Sequence, residues 1–142
     1  MSFGNVNHHT ISLAAAADLS SSQFLAVKVD SNGKAALAST GQFCVGILQN
    51  KPAANQAATV AYGGISKAIA GGNVTAGMTL AANSSGKLVD AAEAVVNTSD
   101  AGAASDAVIA SNVIGVALAS GVANDVIPVL LLMAGATPTT AA

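Results

Sequence analysis

VDSNGKAAL, running from Val29 to Leu37, returns fifty-three residues later as ANSSGKLV, from Ala82 to Val89. Each copy has a polar Asn/Ser pair, then glycine, then lysine, then small apolar residues. Asn-Gly is the strongest short signal for a β-hairpin, because a type I′ turn needs positive φ at both central residues and these two tolerate it best. The stretch therefore predicts a hairpin. Its echo predicts that the same hairpin is built twice.

The flanking sequence extends the match. Upstream, QFLAVKV (Gln23 to Val29) places Phe24, Ala26 and Val29 near period two; downstream, KAALAS returns and TGQFCVGILQN reads as a third strand. After a turn at Pro52, AATVAYGGI carries Val60, Tyr62 and Ile65 as a fourth. In the second copy, GMTLAANSSGKLVDAA supplies strand, turn and strand, SNVIGVALAS the third strand, and GVANDVIPVLLLMAG the closing one. Gly33 and Gly86 lie 53 apart, whereas Gly46 and Gly115, Asn55 and Asn124, and Val60 and Val129 all lie 69 apart. Sixteen extra residues thus fall within Ala91 to Ala110, a loop or short surface helix holding Glu93, Asp100 and Asp106.

Neither half can bury an apolar face alone, which predicts one all-β domain, a small pseudo-symmetric β-barrel or sandwich built from two similar halves. Its expected limits are residues 23–135, with half-repeats over about 23–65 and 77–135 and the insert at 91–110. Residues 1–22 read as an extended, polar N-terminal arm, with a brief helical or extended possibility at Ile11 to Leu19, and 136–142 as a flexible tail.

Composition narrows the function classes. Of 142 residues, 52% are hydrophobic but only 3% aromatic, so alanine and aliphatic residues fill the core and few rings are available to stack on bases or sugars. Charged residues make up 8%, against about 25% in ordinary globular domains, and the formal net charge is -2. Nucleic acid and anionic membranes, both bound through clustered Lys and Arg, are thereby disfavoured as partners. A surface of Ala, Ser, Thr, Asn and Gly loses little solvation when covered and suits extensive protein contact. Mean hydropathy is +0.59, yet no run reaches the roughly 20 apolar residues of a spanning helix. The N-terminus lacks the basic region of a secretory signal.

No constellation carries chemistry. His8 and His9 are adjacent and point to opposite sides of an extended chain. The single cysteine, Cys44, sits in QFCVGIL as a small buried hydrophobe. The glycine runs YGGIS and AGGNVTAG lack phosphate-loop spacing. Lys34 and Lys87 stand at hairpins, as the modified lysine of lipoyl and biotinyl carriers does, but glycine precedes both and neither context matches. The reading is of no enzyme, no metal and no cofactor.

The order GQFCVGILQNKPAANQAATVAYGG, AGGNVTAGMTLAANSSGKLV, NVIGVALASGVANDVIPVLLL resembles the capsid cement, or head decoration, proteins of tailed bacteriophages over roughly Phe24 to Met133. The longer polar arm and larger insert depart from that pattern. The resemblance implies a structural virion protein, made in the host cytoplasm, that binds the outer surface of the assembled capsid, commonly as a homotrimer, and stabilises contacts between subunits of the major capsid protein. Phe3, Val6, Ile11 and Leu13 are the candidate capsid or inter-subunit contacts, being spaced apolar residues on an arm. The alternative is a ligand- or glycan-binding β-module of a fibre or carrier.

Overall fold

In the computed structural model, which describes residues 8–91 and 108–140, the chain is all β. Nine strands run β1 (His8–Ala14), β2 (Ala26–Val29), β3 (Ala35–Leu37), β4 (Gly46–Leu48), β5 (Ala57–Ile69), β6 (Thr79–Ala82), β7 (Leu88–Asp90), β8 (Val108–Ala117) and β9 (Val126–Thr140). They form one curled antiparallel sheet in the order β3-β2-β4-β5-β9-β8-β6-β7, with β1 also on β5.

The expected repeat is present, pair by pair. Val27 faces Gly46 across β2 and β4, and Leu80 faces Gly115 across β6 and β8; Leu48 faces Val60 as Ala117 faces Val129. Both hairpin glycines have φ +75, but Asn32 does not share the positive φ, so the hairpin is present without the expected type I′ turn; Asn55 and Asn124 sit in the left-handed region at φ +67 and +71. The two offsets read from the sequence are therefore offsets of backbone geometry. Phe24 also has positive φ, +66, at the position where the second half has Gly77 at +89. A bulky residue is strained there, and its ring is held against the larger core cluster.

The stretch expected to be a free arm is, from His8, part of the sheet. β1 pairs along β5 from His8↔Gly64 to Ala14↔Ala57, and Ala15 and Leu19 are buried. The pairing answers to the second half of β5, where Ile69↔Val126 corresponds to Ala14↔Ala57 and Ser66↔Val129 to Ile11↔Val60. Parallel bridges Ala15↔Ala35 and Ala70↔Leu88 then bring the end of each first strand to its hairpin. Each half is a ring of five strands, and β5 serves both: Ala57 to Tyr62 ends the first, Gly64 to Ile69 begins the second. The first half consequently starts near residue 8, not 23.

Two further expectations are corrected. Residues 136–140, expected as tail, continue β9 and pair with β8, Val108↔Thr140 through Val113↔Gly135. Residues 108–110, assigned to the insert, begin β8; the remainder of the insert from 92 to 107 lies outside the described residues. An Ala/Ser/Thr-rich pair of strands has little apolar alternation to announce it, and pairing across the ribbon defines it instead.

The cores follow the halves. Val27, Leu48, Ala58 and Val60 fill the first ring, and their counterparts Leu80, Ala117, Ile127 and Val129 lie in the larger cluster that also joins the two halves. Gly46 and Gly115 recur for a steric reason: a Cβ on either would collide with a backbone carbonyl of the next strand, Ala61 or Leu130. Neither carbonyl can move without breaking its ladder. Gly46→Ala and Gly115→Ala should each cost about 2–3 kcal/mol, lowering the melting temperature of a domain of this size by roughly 5–10 °C. Thermal denaturation followed by circular dichroism checks this.

Candidate functional site

The two lysines have a structural use. Asp30 Oδ1 accepts from the backbone N–H groups of Asn32 and Lys34, both at 2.9 Å, and Asn83 Oδ1 accepts from those of Ser85 and Lys87 at 2.9 and 3.0 Å. Each lysine then crosses to the left-handed asparagine of its own half: Lys34 Nζ donates to Asn55 Oδ1 at 2.9 Å, Lys87 Nζ to Asn124 Oδ1 at 2.6 Å. A lysine engaged identically in both halves belongs to the scaffold. The carrier reading loses its ground.

The other candidate groups stay apart. His8 is half-buried and His9 exposed on β1, and the His9 ring lies 6.1 Å from that of Tyr62. No group of three or more metal-ligating side chains exists among the described residues. Cys44 is buried, and burial pushes its thiol up to about 11; its Sγ–H donates to the Gln42 carbonyl at 3.3 Å. Phe3 and Val6 lie outside the described residues. Ile11 and Leu13 pack within the chain against the first-half core, each keeping part of its surface exposed.

What the structure builds instead is an internal contact between its halves. The outer side of the first half covers the second: Ala26 N–H donates to Gly86 O at 2.8 Å, Gly41 N–H to Ala82 O at 3.0 Å, and Gln49 Nε2 to the buried Ser66 Oγ at 2.8 Å. Ile47 and Ala61 of the first half share one buried cluster with Ala68 and Ala82 of the second. Ser66 is fully satisfied there, since its hydroxyl also donates to Lys67 O at 2.9 Å.

The same positions shifted by one half are bare. Leu118 and Leu130 correspond to Gln49 and Ala61 and are 40% and 38% exposed, against 0% for Ala61. Thr79, the counterpart of buried Ala26, is exposed, as is Val29, the counterpart of buried Ala82. Val126 and Leu132 extend the apolar surface along β9. A groove of about 570 Å³, lined by Ala76, Leu118, Ser120, Asp125, Val126 and Pro128 among others, runs along its margin. The sequence held a signal for this surface: β9 is apolar at every position from Val126 to Leu132, whereas a strand with one wet face alternates.

No family model matches the chain, and no curated protein matches it. Among solved structures, the N base of head fiber gp8.5 of bacteriophage phi29 is similar, with a TM-score of 0.57 and 13% sequence identity over 89% of this chain and 95% of that one. The likeness is one of fold and spans nearly the whole of both chains.

Cys44 gives a check on core integrity. A thiol whose pKa is raised in the fold stays protonated while the unfolded chain ionises, so its contribution to stability is intact below about 9 and lost as pH rises toward about 11. At pH 8 the native thiol should resist a chromogenic disulfide reagent and react fully once guanidinium unfolds the protein. Asn124→Gly, keeping the left-handed backbone, should change stability little, while Asn124→Ala should cost about 1 kcal/mol.

Proposed function

We propose that this chain is a structural virion protein of a tailed bacteriophage, attached to the outside of the assembled head, where it stabilises contacts between subunits of the major capsid protein. The observation that carries the reading is the near full-length fold likeness to the base of a phage head fiber. The residue-level resemblance to head decoration proteins and a surface with few charges support it. No catalysis, cofactor or nucleic acid enters the role. A homotrimer is the form that suits it.

Mass action supplies the mechanism. A ligand that binds the assembled lattice and not its free subunits stabilises the lattice in proportion to occupancy. Many copies, each with a modest interface, then resist outward pressure together. Phe3 and Val6, ahead of β1, are the assigned capsid contacts. Ile11 and Leu13 belong to the folded body, so removing residues 1–20 would take away β1 and open the first ring.

The informative variant therefore lacks only residues 1–7. Purified protein should co-sediment with capsids assembled from the major capsid protein of the same genome, and the truncated form should lose most of its occupancy while melting like the full chain. Because few ion pairs are available, raising salt from 0.1 to 0.5 M should change occupancy less than about threefold. Absence of co-sedimentation at saturating protein would overturn the reading.

A further inference from the structure

We infer that copies of this chain associate head to tail, with the bare outer side of the second half of one copy covering the bare end of the first half of the next. The contact repeats between molecules the one already made between the halves. This deepens the oligomeric part of the proposed function, on which it rests for the expectation of several copies per assembly.

The occupant follows from what covers the equivalent surface. Inside the chain, the outer side of the first half at Ile47, Gln49 and Ala61 lies on Ser66 and Ala68 of the second, and all five are removed or partly removed from solvent. Two halves joined in this way leave one covering side unused and one end uncovered. The unused side is Val116, Leu118 and Leu130, the counterparts of Ile47, Gln49 and Ala61. The uncovered end is Ile11 and Leu13, the counterparts of Ser66 and Ala68, half-buried where those two are fully buried.

The hairpin corners obey the same rule. Gly86 is packed so that a Cβ would meet Leu37 Cδ1 at 2.7 Å and the Ala26 carbonyl oxygen at 3.2 Å, while its counterpart Gly33 has open space. Ala82 is fully buried; Val29 is 47% exposed. Covered Ala82 and Gly86 thus have bare equivalents in Val29 and Gly33, and covered Ser66 and Ala68 have half-buried ones in Ile11 and Leu13; the surface complementary to these positions is a second copy's.

Area supports more than one patch in the contact. Three strands of about six residues span roughly 20 by 14 Å, less than the roughly 800 Å² per partner of a stable interface. The β8–β9 ribbon, Val108–Val113 with Gly135–Thr140, continues the same strands, and no other described strand pairs with it. A two-stranded ribbon is at best marginal in water by itself. Beyond the bonds of Asn112 to the Gly41 carbonyl at 3.2 and 3.0 Å, a neighbouring copy that adds to this ribbon would extend the contact.

The test is the assembly state of the full chain by sedimentation velocity and native mass spectrometry. The unaltered protein should run as an oligomer, and Leu118→Lys with Leu130→Lys should weaken association at least tenfold with an unchanged circular dichroism spectrum. Ala57→Lys, an exposed position on the first half, should leave it intact. As a second arm, independent of how well the charged variant folds, chains carrying Ile11→Cys and Leu118→Cys are mixed; Cys44 is buried and does not compete. A disulfide-linked dimer should form in the mixture and not from either chain alone.

A single-chain mass for the unaltered protein at tens of micromolar, or an oligomer that survives the charged variant without cross-linking in the mixture, would overturn the inference. Loss of capsid co-sedimentation in Leu118→Lys/Leu130→Lys from a protein that was monomeric throughout would assign this face to the capsid instead. Intact oligomers that do not bind capsids would overturn the proposed function and leave the head-to-tail contact standing.

Discussion

The structure depends on one strand doing two jobs. β5 closes the first ring through Ala57 to Tyr62 and opens the second through Gly64 to Ile69; β4 leaves it after Ala61, and Gly64 is where β1 ends, at His8, and β9 takes over, at Leu131. Gly64 has φ +82, which a side chain would make costly. A register slip of one residue that inverted β5 in the first half would also turn its Gly64 to Ile69 side chains to the wrong face in the second, because both share this backbone. The halves are therefore not independent units on a linker. The registers of their shared strand are set together.

Where backbone geometry restricts residue type, the sequence could be read. Gly33 and Gly86 need positive φ, Asn55 and Asn124 tolerate it, and Gly46 and Gly115 leave room for a carbonyl. Those are the landmarks that kept common offsets, and the hairpins and third strands were legible from them. β1 was not, because the first strand of a half is specified mainly by pairing. His8–Ala14 and Gly64–Ile69 share register but almost no residue types. One trace was available: Ala15-Ala16 with Leu19 matches Ala70-Gly71 with Val74 at an offset of 55, and the matched backbone bonds Ala15 N–H to Gln56 O and Ala70 N–H to Asp125 O are both 2.8 Å.

The candidate surface was only half legible for a related reason. Ile11 and Leu13 stood out as apolar residues in a polar stretch, and the structure gives them a place in the first ring with part of each still open. Leu118 and Leu130, exposed on the second half, could not be told from core residues without knowing which face of β8 and β9 looks outward. Apolar sequence reports that a side chain is to be buried. It does not say whether its own chain buries it.

The residues at the internal contact and at its bare equivalents differ in a way that the proposed association between copies explains. Within the chain, the covered positions are small or polar: Ser66, Ala68 and Ala82 meet Gln49, Ala61 and Ala26. At the bare equivalents stand Ile11, Leu13 and Val29 on one side and Leu118, Leu130 and Thr79 on the other, larger and more apolar at five of the six. The internal contact is tethered by β5 and loses no translational or rotational freedom when it forms. A contact between copies loses both, at an estimated cost of about 4–15 kcal/mol, and each additional buried methylene returns about 0.8 kcal/mol. A repeat that first docks on itself and then on its neighbour thus needs its larger apolar side chains at the free ends. A heterologous contact of this kind closes into a ring or runs on as a filament according to the rotation per copy. In a chain of two halves, that rotation is inherited from the angle at which β5 joins them.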